Sequence, residues 1–133
     1  MNGPAGEWLE FARMDLRSAE FPLNMRPVPV EIICCHCQQA AEKALKAVLA
    51  YNDTEPPKIH DLPLLCELCE KTFPAFSRLT VPCARLLPYG VQVRYPSANQ
   101  LGAEEMRAAL ADSREVLRFV EETLKADNQA RTW

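Results

Sequence analysis

Eight residues between positions 30 and 48 constrain this chain more than any other feature. Val30, Ile33, Cys34, Cys37, Ala41, Ala44, Leu45 and Val48 fall at steps of three and four, and over five turns that is the period of a helix with one buried face. Gln38, Gln39, Glu42, Lys43 and Lys46 flank the stripe. Pro27 and Pro29 precede it, and Pro29 suits a first helical turn. Asn52 and Asp53, followed by Pro56 and Pro57, stop it.

The same period recurs on either side. A first helix is predicted over about residues 4–21, with Trp8, Leu9, Ala12, Leu16 and Ala19 on one face and Pro22 ending it. A third begins after His60, with Asp61 as N-cap, Pro63 in the first turn, and Leu62, Leu65, Cys66 and Cys69 as its stripe. Residues 76–87 read as a short helix carrying Leu79, Cys83 and Leu86 inward, with Pro82 near its start. Residues 88–101 read as an irregular or extended connection. A long last helix is predicted over about residues 102–127, with Met106, Ala109, Leu110, Ser113, Leu117, Val120 and Leu124 inward, and the polar tail from residue 126 is expected to fray. No segment makes a convincing strand. The expected fold is therefore all-α, an antiparallel up-and-down bundle of four to five helices in one domain, residues 1–133 with a core of about 5–126.

Composition narrows the function classes. The formal net charge is -3, which argues against general nucleic-acid binding, since that needs a basic face to displace counterions. No apolar run is long enough to span a bilayer. The first nine residues lack a basic segment followed by an apolar core, so they do not read as a signal peptide. Six cysteines without an export signal are expected to be reduced thiols in a cytoplasm.

Two constellations bear on chemistry. Cys34 and Cys37, with Cys66 and Cys69, have the spacing of two half-sites for zinc. Both pairs lie on apolar helix stripes, however, where free cysteine packs as a small hydrophobe, so no metal is assigned. The second constellation is polar. Glu42 and Lys46 are four apart in the favourable order for pairing, and His60 stands beside a helix start able to hold a phosphate. Arg94 and Tyr95 lie in the connection before the last helix. A cation, an imidazole, an arginine and an aromatic ring together could bind the phosphate and base of a nucleotide.

These residues also carry a resemblance. The run His36-Cys37-Gln38-Gln39-Ala40-Ala41-Glu42-Lys43-Ala44-Leu45-Lys46-Ala47-Val48-Leu49 resembles the signature helix of HEPN (higher eukaryotes and prokaryotes nucleotide-binding) domains. Asp15-Leu16-Arg17-Ser18-Ala19 resembles that family's first helix. Lys58-Ile59-His60-Asp61-Leu62 resembles its third-helix start, and Arg94-Tyr95-Pro96 its entry to the last helix. The resemblance implies an up-and-down bundle, often dimeric, and in many members pairing with a minimal nucleotidyltransferase in toxin–antitoxin systems. Ribonuclease branches use an Arg and a later His with four to six residues between them. After Arg94 those positions hold Asn99, Gln100 and Leu101, which cannot relay a proton near neutral pH.

The sequence thus points to a non-catalytic domain with no cofactor. It would bind a nucleotide or phosphate ligand, or a nucleotidyltransferase-type partner, through Lys43, Lys46, His60, Arg94 and Tyr95. A homodimer through a long helix is expected, with no membrane partner. The alternatives are a ribonuclease toxin with a degenerate motif and a scaffolding domain.

Overall fold

A computed structural model describes residues 1–91 and 101–131. Among them the chain forms six α-helices and no strand. These are α1 (Gly3–Glu20), α2 (Val30–Tyr51), α3 (Leu62–Glu70), α4 (Thr80–Leu86), α5 (Pro88–Val91) and α6 (Ala103–Arg131). Short 3-10 segments, Phe21–Asn24 and Pro74–Leu79, follow α1 and precede α4.

The central stripe puts α2 in the middle of the bundle. Alanines at 40, 41, 44 and 47 are all fully buried, and such small side chains let neighbours approach on more than one side. α1 runs antiparallel to α2, because Asp15 meets His36 and Lys43 while Trp8 lies farther along, against Lys46. α6 runs parallel to α2: Ser113 donates to the Cys37 carbonyl, and toward the other end of both helices Tyr51 donates to Asp127. Asp53 closes α2 in the left-handed region (φ 58°). Its N–H reaches the Ala50 carbonyl and that of Thr54 the Leu49 carbonyl, the paired bonds of a Schellman ending.

Three differences from the sequence expectation have local causes. The predicted fourth helix is divided, with residues 74–79 wound as a 3-10 segment and Pro82 in the first turn of α4, where its missing N–H costs nothing. A single helical turn, α5, occupies the start of the predicted irregular connection. Gly90 makes it fit, since a Cβ there would stand 2.6 Å from Gln38 Cδ. The last helix does not fray at residue 126. It continues to Arg131, held by Tyr51, whose hydroxyl donates to Asp127 at 2.7 Å and whose ring carries the Arg131 guanidinium at 5.1 Å.

The thiols face inward. Cys34, Cys37, Cys66, Cys69 and Cys83 are buried, and Cys35 is half-buried. The Cys66 thiol donates to the Phe76 carbonyl and that of Cys69 to the Leu45 carbonyl. Among the described residues no three His, Cys, Asp or Glu side chains are placed to hold a metal ion. Burial pushes the Cys37 thiol from 9.0 up to about 12, and it pushes Cys69 well up too. At pH 8, iodoacetamide should therefore label Cys35 quickly and the five buried thiols only as fast as the chain unfolds; mass spectrometry of native protein with two fast thiols would contradict this packing. The same shifts set an alkaline limit. Above about pH 9 the unfolded chain loses thiol protons that native Cys37 keeps to about 12, so stability present below 9 declines as pH rises through that window.

Candidate functional site

Two buried carboxylates, one on α2 and one on α1, each hold a histidine and a lysine along the polar face of α2. The first is Glu42, only 4% exposed. Gln38, Glu42 and Lys46 are four apart and so line one edge of the helix. Lys46 Nζ lies 3.1 Å from Glu42 Oε2, and His60 Nδ1 lies 3.0 Å from both carboxylate oxygens. Gln38 donates to Glu42 at 3.2 Å and to the His60 carbonyl at 3.4 Å. The second is Asp15 on α1. Its Oδ1 faces His36 Nδ1 at 3.0 Å, and its Oδ2 accepts from Lys43 Nζ.

An ionised carboxylate only accepts, so each Nδ1 must carry the hydrogen. That fixes both rings and turns each Nε2 edge away from its carboxylate. His60 is the more open of the two, with 61% of its side chain exposed, and Lys43 retains 27%. Lys46 is different. It is 6% exposed, with its ammonium against Glu42 and 5.7 Å over the Trp8 ring. Beyond Lys46, a cavity of about 490 Å³ opens between the start of α1 and the end of α2, walled by Trp8, Ala50, Pro56, Pro57 and Lys58.

Of the five residues singled out in the sequence, the structure brings Lys46 and His60 together on Glu42, and it places Lys43 in the neighbouring Asp15 cluster. Arg94 and Tyr95 lie outside the described residues. The helix start beside His60 is already capped, since Asp61 Oδ1 accepts from the Leu64 N–H at 3.1 Å. That carboxylate occupies the place a phosphate would take. Sequence reading missed Asp15, His36 and Trp8. Asp15 had a signal: it sits three residues after Ala12 and four before Ala19, a lone charge on a stripe of small buried residues.

Comparison with known proteins agrees with this architecture. The family model described as HEPN domain matches residues 5–123. No curated protein matches the chain. Among solved structures, TT1696 from Thermus thermophilus is similar at 30% identity and a TM-score of 0.76, over 89% of this chain and 96% of that one. ST0689, described as an archaeal HEPN homologue, is similar at 22% identity and a TM-score of 0.69, over 92% of this chain and 98% of that one. This second likeness is one of fold.

Proposed function

The chain belongs to the HEPN domain family, and from that premise we propose that it is a non-catalytic binding member. It takes a nucleotide or other phosphate ligand on the polar face of α2, or seats a nucleotidyltransferase-type partner there, as in a toxin–antitoxin pair. The observation that carries this reading is the paired carboxylate anchoring just described. Buried acids hold Lys43 on α2 and His60 beside it, so the Lys43 ammonium and the Nε2 edge of His60, a donor when the ring is an imidazolium, are oriented before a ligand arrives. Phosphate oxygens are the natural acceptors for such charge-assisted donors. Gly90 rests on Gln38 at the edge of the Glu42 cluster, and Val91 ends α5. Arg94 and Tyr95 follow three and four residues later in the sequence and, as a guanidinium and an aromatic ring, complete the proposed binding set.

Nothing in the anchoring supplies a proton relay at the position the ribonuclease branches use, where Asn99, Gln100 and Leu101 stand. Purified protein is expected to leave RNA intact and to bind ATP in calorimetry. Arg94→Ala and His60→Gln should each weaken that binding about tenfold, the equivalent of about 1.4 kcal/mol, with the thermal midpoint little changed. Folded protein that binds no nucleotide would leave only the partner reading, and RNA cleavage lost in the His60 variant would replace both.

A further inference from the structure

The cavity between the start of α1 and the end of α2 encloses about 490 Å³, within the roughly 300–1,000 Å³ usual for a small-molecule site. Trp8, Pro56 and Pro57 give it flat apolar walls, and Lys46, Asp53 and Lys58 give it charges. Lys46 is the unusual member. It is only 6% exposed, yet of the three N–H groups on its ammonium one alone has an acceptor among the described residues, the Glu42 carboxylate. A buried donor that lines a cavity without an acceptor is costly unless a ligand or water supplies one.

Asp53 and Lys58 are exposed, and neither has an ion-pair partner among the described residues. The turn that closes α2 fixes the place of Asp53, whose backbone N–H reaches the Ala50 carbonyl. Lys46 lies five residues before the last residue of α2, roughly 8 Å along the helix, and Asp53 stands two residues beyond that end. Donor and acceptor therefore enter the cavity at separate points, with the apolar walls between α1 and the prolines. The charges leave no excess of positive sign, since Glu42, Asp53 and Glu55 offset Lys46 and Lys58. A neutral flat ring suits such a space better than an anion.

We infer that this cavity is a base pocket that prefers guanine to adenine, so that the ligand of the α2 face is a guanine nucleotide. The base assignment stands on the cavity; its extension to a nucleotide rests on the phosphate reading proposed above. Stacking on an indole accepts any base, so the polar groups make the choice. Guanine offers O6 and N7 as acceptors, a pair that suits a lysine ammonium. Its N1–H and N2 amino group are donors on the adjoining edge, and a carboxylate takes both. Adenine has an amino donor in place of O6. It sets donor against donor at Lys46 and has no N1–H for Asp53. Lys58, two residues before His60, marks the way from the cavity to the phosphate donors.

Calorimetry of the full chain with guanosine, inosine and adenosine tests the pocket without a phosphate. Guanosine should bind about tenfold tighter than adenosine or better, with inosine, which lacks the N2 amino group, between them. GTP should exceed ATP by a similar factor. Asp53→Gly should weaken guanosine binding about fivefold and keep the fold, because position 53 is left-handed and glycine adopts that conformation freely. Lys46→Met, shown to be folded by circular dichroism, should lose most of the preference over adenosine. The Trp8 indole N–H resonance, assigned by its absence from Trp8→Phe, should shift when guanosine is added. No binding of guanosine, or adenosine bound as tightly, overturns the inference. A preference intact in Asp53→Gly with the Trp8 resonance unmoved overturns it too. GTP and ATP bound equally, and both weakened by His60→Gln, would overturn the base pocket while the phosphate reading stands. Guanosine bound as expected, with GTP no tighter, would support the pocket and remove the phosphate reading.

Discussion

Glu42→Ala should be among the most damaging single substitutions in this chain, lowering unfolding free energy by about 3–5 kcal/mol. The cause is what it leaves behind. Lys46 is 6% exposed and its ammonium has Glu42 as its only carboxylate among the described residues. Without that partner a buried positive charge stands over the Trp8 ring alone, and a single cation–π contact, about 0.5–2 kcal/mol, does not offset the desolvation of an ammonium. Gln38 loses an acceptor as well. For a domain with about 5–15 kcal/mol of stability, the loss corresponds to a fall in thermal midpoint of roughly 10–20 °C.

Two companion variants separate this cause from a simple packing defect. Lys46→Met removes the charge and leaves Glu42 with His60 and Gln38, so its cost should be smaller. The double variant Glu42→Met, Lys46→Met replaces the pair by apolar groups of similar length and should recover much of the loss, because a buried ion pair contributes little over a well-packed apolar pair. Urea denaturation at constant ionic strength measures all three. A Glu42→Ala cost below about 1 kcal/mol, or a double variant no better than the single, would remove the buried-charge account.

That cluster also marks where sequence reading stops. The apolar stripes of α1, α2, α3 and α6 were legible because helical period dictates burial, and the inward residues predicted for α6 are all buried, Ser113 included. The i, i+4 relation of Glu42 and Lys46 was legible for the same reason. Pairs that join different helices leave no such spacing. Nothing in the chain announces that His60, eighteen residues beyond Glu42, turns its Nδ1 onto that carboxylate, or that Arg85 grips buried Asp112 through bonds of 2.6 and 2.9 Å. Lys43 and Lys46 are three apart on one helix, yet α1 claims the first and Glu42 the second.

Phe76 is the clearest case of a residue whose weight the pattern did not convey, and it carries the second large expectation. It lies in the 3-10 segment Pro74–Leu79, where the period of three replaces the helical period and no stripe can be followed. The structure places it in the core, fully buried, edge-on to Phe119 of α6 at 4.9 Å and 87°, and 6.1 Å from Phe73. Its carbonyl receives the Cys66 thiol from α3, so one residue ties α3 and α6 to the approach to α4. Phe76→Ala should cost about 3–5 kcal/mol, from lost transfer and the cavity that remains, with about 0.5–1.5 kcal/mol of it from the edge-to-face pair. Phe76→Leu fills most of the volume and should cost clearly less. Because the cavity opens between α3 and α6, hydrogen exchange should show the amides of α3 and α4 losing protection before those of α2. An alanine variant within about 1 kcal/mol of wild type would mean that this ring does not fill the core between those helices. Uniform loss of protection along α2 and α3 would mean that the third and fourth helices do not open as a separate layer.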